Sequence, residues 1–168
     1  MLRCFEEGGA TWAAQSSDEQ EADALFAARR LAYPALERLG PVLTEDVCVP
    51  AAMVPEMLMR IEKAATDHDT LIANIAHAGD GNLHPLLITP PDDEEARRRA
   101  QAAFEVIIAD AIALGGTVTG EHGIGQLKRG GLGRELSAPV VAMHHAVKDA
   151  LDPAGILNPG KAIPERSG

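Results

Sequence analysis

The tightest constraint on the fold is a nine-residue stretch, HAGDGNLHP at 77–85, in which two histidines flank a Gly-Asp-Gly-Asn centre. An apolar run with β-branched residues precedes it (Leu71–Ala76) and another follows it (Leu83–Thr89). Two such runs around a Gly/Asp/Asn cluster predict a β-hairpin with its loop and flanks at 78–83, and a hairpin commits the chain to an antiparallel sheet. In that register His77 and His84 fall opposite each other on one face, with Cβ atoms roughly 4.5–5.5 Å apart. Two imidazoles at that distance can share one ion, or they are hydrogen-bonded parts of a turn. A third ligand would be needed to favour the metal.

A candidate lies in GGTVTGEHGIGQLK at 115–128. Glu121 and His122 sit between Gly120 and Gly123, after a short β-prone Thr117–Thr119, in a segment too rich in glycine for a stable helix. Glycines here let the backbone approach a ligand closely. One carboxylate with two imidazoles makes a donor set suited to zinc, manganese or iron, with open positions for substrate. His122 would then stand beside the ion as a base. The alternative is a glycine-rich loop with an incidental charged pair.

Helices alternate with these strands. A capping-box pattern at Ser17 and Gln20 predicts a helix start after a strand at 11–16. The following stripe of Ala22, Leu25, Phe26, Ala32, Tyr33 and Leu36 predicts a buried helical face that also carries Arg29, with a break near Arg30 imposed by Pro34. An arginine there either snorkels to water or presents its fork to a carboxylate. Val42–Val49 reads as one strand ending at Pro50, and 53–67 as a helix burying Val54, Met57, Leu58 and Ile61. The stripe Ala96, Ala100, Ala103, Phe104, Ile107, Ile108, Ala111 and Leu114 predicts a long helix stopped by Gly115-Gly116. Ser137 is expected to cap a last helix with Val140, Met143, Val147 and Leu151 inward, ended by Asp152-Pro153 and followed by an irregular tail. The fold class expected is α+β: an antiparallel sheet with helices packed on one side, plus a C-terminal helical segment and tail.

Composition narrows the function classes. With 46% hydrophobic residues in 168, the chain can build a single domain with a core. No apolar run approaches the about 18 residues of a spanning helix, and no signal peptide is recognisable. Fifteen basic against 25 acidic residues, a net charge of −10, argue against nucleic acid as a partner. Two cysteines, Cys4 and Cys48, are too few for a disulfide framework, so a reducing cytoplasm is the default.

HAGDGNLHP, GGTVTGEHGIGQLK and DPAGILNPGK, in this order, resemble the C-terminal domain of the FAD-linked oxidases that include the glycolate oxidase flavoprotein subunit, D-lactate dehydrogenases and D-2-hydroxyglutarate dehydrogenase. EDVCVPAAMVPEML and ARRLAYPAL are similar to the glycolate oxidase branch. The resemblance covers nearly the whole chain and implies a ferredoxin-like cap domain, spanning 1–168, with a substrate and metal site. It implies that His77, His84 and Glu121 bind a divalent metal, that His122 is the base, and that Arg29 and Asn82 engage substrate. Asn158 and Lys161 would face the flavin. The implied reaction removes the hydroxyl proton of a 2-hydroxy acid and passes hydride from its α-carbon to FAD. Thr44 stands at about the position where the hydroxyglutarate branch has a lysine, which favours a small acid such as glycolate or D-lactate.

In such oxidases FAD is anchored by an N-terminal domain, and this chain has no glycine-rich dinucleotide fingerprint. Starting inside what resembles the substrate domain, it is expected to be a fragment, a truncated product or part of a split enzyme. A standalone metal- or acid-binding module and a non-catalytic subunit are the alternatives. The partners implied are an FAD-binding domain or subunit, an iron–sulfur electron-transfer subunit and, through an unpaired sheet edge, a weak homodimer. Location would be cytoplasmic or peripheral to the inner membrane through those subunits.

Overall fold

The structure is a computed structural model and describes residues 2–166. It comprises two compact units, one up to Leu39 and the other from Gly40.

The first unit contains α1 (Leu2–Glu7), α2 (Glu19–Arg30) and α3 (Ala32–Glu37). The expected strand at 11–16 is absent, because nothing pairs with that segment among the described residues. The helix cap is Asp18 rather than Ser17: its carboxylate accepts the Glu21 N–H at 2.9 Å, an acceptor that a charged oxygen provides better than a hydroxyl. The break after Arg30 occurs where Pro34 requires it. None of α2 or α3 is buried, so the apolar stripe of Ala22, Leu25, Phe26, Ala32, Tyr33 and Leu36 is not a core face in this chain.

The second unit holds the sheet. Its strands are β1 (Val42–Thr44), β2 (Val47–Cys48), β3 (Leu71–His77) and β4 (Asn82–Ile88), all antiparallel. β4 is central and buried along its whole length. β1 and β2 share one register along one edge of it (Val42 opposite Ile88, Cys48 opposite Asn82), so the expected single strand at 42–49 is split at Glu45 and Asp46. Among the described residues β3, on the other edge, pairs only with β4. The β-prone stretch at 117–119 contributes one bridge, Cys48 with Thr117.

The helices α4 (Val54–Asp67), α5 (Glu94–Ala113), α6 (Arg129–Glu135) and α7 (Ala138–Leu151) complete this unit. Met57, Ile61 and Ala64 of α4 and Ala100, Ala103, Phe104, Ile107, Ile108 and Ala111 of α5 form one core with Leu83 and Leu87 of β4, against which Ile72 and Ala76 of β3 also pack. A fully buried leucine or isoleucine in such a core contributes about 1.5–3 kcal/mol. Strand alternation then fixes the opposite face. Register partners His77 and Asn82, and Ile75 and His84, point away from these helices.

Sequence periodicity placed α5 correctly and missed α6, whose three glycines disfavour a helix. Close approach explains it: a Cβ at Gly131 would strike Ile108 and Val118. On α7 the orientation is reversed from expectation. Val141 is buried, while Val140, Met143, Val147 and Leu151 are exposed. Their stripe is apolar, but no described element covers it.

Candidate metal and substrate site

The hairpin turn is shorter than expected, at 78–81, with Asp80 N–H donating to the His77 carbonyl at 2.9 Å. One consequence corrects the expected geometry. His77 faces Asn82 across the ladder and His84 faces Ile75, so the histidines are diagonal neighbours on one face rather than direct partners. They still meet, edge to face, with ring centroids 5.3 Å apart.

Glu121 reaches both from the glycine-rich loop. Its Oε1 lies 3.2 Å from His84 Nε2 and 3.6 Å from His77 Nε2. Ligand atoms of the three residues all lie within 4.8 Å of one another, close enough to surround a single ion. His122 stacks on His84 with centroids 4.9 Å apart and planes at 27°, and its Nε2 is 4.0 Å from Glu121 Oε1. His84 is buried at the base of the site, whereas His77, Glu121 and His122 are open to solvent.

Three features test whether a cation suits this place. Burial, and then the neighbouring His122, push the His84 imidazole below its ordinary pKa, which keeps it in the neutral form that ligates metals. The donors are two imidazoles and a carboxylate, the borderline set expected of a divalent transition metal. Among the described residues Asn82 Oδ1 and His84 Nδ1 are buried without hydrogen-bond partners, so the polar floor is not self-satisfied. The residues fit a metal.

Gly120 is required at the loop's closest approach, because a methyl group there would overlap the Asn82 carboxamide. Asn82 is therefore packed against the glycine-rich loop. Asn158 and Lys161 lie in the irregular tail, both exposed, with Lys161 N–H donating to the Asn158 carbonyl at 3.2 Å. The tail is tied to the glycine-rich loop through Ala162 N–H and the Gly125 carbonyl at 2.7 Å. Arg29 lies exposed near the end of α2 in the first unit.

Sequence reasoning missed Glu45, Asp46 and Lys128, all buried behind the loop. Burial alone would raise the Asp46 carboxyl. The Lys128 hydrogen bond and the Glu121 N–H, with the Lys128 charge and the His122 N–H, outweigh it and hold Asp46 well below the usual carboxylate range. Burial raises Glu45 in spite of Lys128. The available signal was two adjacent acids interrupting an otherwise apolar strand.

The chain matches the model of the family described as FAD linked oxidases, C-terminal domain, over residues 1–162. It belongs to that family. The match contains both histidines, the GEHG loop and Asn82. Among curated relatives, "Glycolate oxidase subunit GlcD" of Bacillus subtilis is 42% identical over 155 residues, covering 92% of this chain and 33% of the relative. The protein of the same name from Escherichia coli is 36% identical over 157 residues, with 93% and 32% covered. "D-lactate dehydrogenase [cytochrome], mitochondrial" of Arabidopsis thaliana is 40% identical over 119 residues, covering 71% of this chain and 21% of the relative. This FAD-linked oxidase domain thus spans about one third of the length of the glycolate oxidase subunits it matches.

Proposed function

We propose that the chain is the substrate and metal domain of an FAD-dependent 2-hydroxy acid oxidoreductase acting on a small acid such as glycolate or D-lactate. The observation that carries this reading is the convergence of His77, His84 and Glu121 within 4.8 Å, with His122 stacked beside them. The relatives' names support the substrate class. When bound, a divalent metal would supply Lewis-acid polarisation of the substrate hydroxyl, and FAD the acceptor for the electrons leaving the α-carbon.

The chain's own residues divide the remaining work. His77, His84 and Glu121 would hold the metal. His122 is the base for the hydroxyl proton: the Asp46 carboxylate, 3.6 Å from its Nδ1, favours hydrogen on that nitrogen and leaves Nε2 as the acceptor. Asn82, buried in the floor of the site, would engage the bound substrate. Arg29 pairs with the substrate carboxylate, and Asn158 and Lys161 face the flavin. FAD is carried by a domain or subunit corresponding to the part of the relatives that this chain does not span, and an iron–sulfur subunit would take the electrons onward. Among the described residues no helix is long and apolar enough to cross a membrane; we assign the domain to the cytoplasm, reaching the inner membrane only through such subunits.

The test uses manganese(II) as a paramagnetic probe of the chain. Glycolate or D-lactate is expected to change the electron paramagnetic resonance spectrum of bound manganese in the wild type and to leave it unchanged in a His77→Ala/His84→Ala variant. A wild-type spectrum insensitive to either acid at saturation contradicts the proposed substrate class.

A further inference from the structure

Asp46 has no exposed surface, and it sits in the break between β1 and β2. Its Oδ2 accepts the backbone N–H groups of Gly120 at 2.6 Å, Glu121 at 2.7 Å and His122 at 3.3 Å. Its Oδ1 accepts Thr119 Oγ1 at 3.0 Å and the Lys128 ammonium. Lys128, 1% exposed, also donates to the Asp46 carbonyl at 2.7 Å and lies 3.4 Å from Glu45 Oε2.

The loop is anchored at its flanks, where the Val118 N–H donates to Glu135 Oε2 at 2.9 Å and the Gly125 carbonyl accepts the Ala162 N–H at 2.7 Å, and between these anchors Asp46 takes the Gly120, Glu121 and His122 N–H groups. From 118 to 128 the backbone is in neither helix nor strand, and Gly120, Gly123 and Gly125 enlarge its conformational freedom. Successive N–H groups converging on one anion impose a concave backbone, and here that concavity spans the residue that offers the carboxylate to His77 and His84. A buried ion pair serving stability alone could be replaced by apolar side chains at little cost. Neither apolar side chains nor a neutral amide would accept three N–H groups and a lysine together.

We propose that Asp46, clamped by Lys128, is the positioning residue of the Gly120–His122 backbone, presenting Glu121 to His77 and His84 and placing His122 beside them. The proposal rests on the metal-centre reading given above. It assigns Asp46 no contact with substrate; Asp46 acts through the loop backbone and, 3.6 Å from its Nδ1, the His122 ring.

Cobalt(II) serves as the probe because its visible spectrum reports ligand geometry. At a temperature where circular dichroism shows each protein folded, Asp46→Asn is expected to weaken cobalt binding about 10–100-fold, the usual effect of losing a group that orients a ligand, and to alter the spectrum of what remains bound. A folded Asp46→Asn protein with wild-type affinity and spectrum overturns the proposal. Hydrogen exchange on the wild type needs no variant: the Gly120, Glu121 and His122 amides are expected to exchange about 10–100-fold more slowly than unprotected loop amides, as hydrogen bonds to a charged acceptor require. Exchange at unprotected rates also overturns it. If the wild type binds no cobalt, the metal reading fails, and the exchange measurement alone decides whether Asp46 holds the loop.

Discussion

Lys128 and Asp46 lie 82 positions apart in the chain and meet where both are almost wholly removed from water. Removing one partner of such a pair leaves the other buried and uncompensated, at a cost of about 3–5 kcal/mol. Lys128→Met is therefore expected to lower the urea midpoint with little change in the slope of the unfolding transition, whereas a midpoint equal to the wild type would show that the pair is not buried in solution. His122, the proposed base, is expected to behave differently, since a base acts in the transition state. In the complete oxidase, His122→Ala should lower kcat by about 10²–10⁴-fold with a smaller effect on KM, as rapid kinetics of flavin reduction by glycolate or D-lactate would read. At this scale the clustering of His77, His84 and Glu121 was legible, because a hairpin sets the two histidines on one face and the glycines around Glu121 allow a close approach. Asp46 was less legible: two adjacent acids interrupt an apolar strand, but only the tertiary contact with Lys128 shows that they are buried.

Between elements, the deciding factor is what each apolar face meets. The stripe of α5 was readable because its alanines, isoleucines and Phe104 follow helical spacing and the sheet lies ready to receive them. Ile107, with no exposed surface, anchors that contact, and Ile107→Ala is expected to cost about 2–5 kcal/mol in the same urea measurement. The face of α7 carries an equally clear stripe, yet Met143 and Val147 are 68% and 60% exposed. Periodicity says that a face is apolar and says nothing of what covers it. At the end of α7, Asp152 accepts the Ile156 and Leu157 N–H groups at 3.1 and 3.0 Å and pairs with Lys148, so the tail begins as an ordered turn. The Lys148 hydrogen bond, followed by the Leu157 N–H, lowers the Asp152 pKa below 3.8. Unfolded, this carboxyl binds its proton at higher pH than it does folded. Its stabilising contribution is therefore present above pH 3.8 and is lost as pH falls through the lower folded value. Nuclear magnetic resonance should show the Ile156 and Leu157 amides losing protection only in that acid range, and Asp152→Asn should remove the pH dependence.

Over the whole molecule, the second unit builds one core between a sheet and helices and leaves the other sheet face to the candidate site. The α+β class was legible because the hairpin and the α5 stripe were both legible; the split of 42–49 into two strands was not, since it follows from the burial of Asp46. Among the described residues the outer edge of β3 has no strand partner and the apolar face of α7 is exposed, which gives surface on which copies can meet. Sedimentation is expected to show a folded monomer in weak equilibrium with dimers, and an expanded, unfolded chain would contradict the core described above. The proposed metal centre is tested most directly by calorimetric titration of zinc into the wild type and the His77→Ala/His84→Ala protein. Stoichiometric binding in the wild type and its loss in the double variant are expected; identical binding in both would contradict the assignment of the hairpin histidines to the metal.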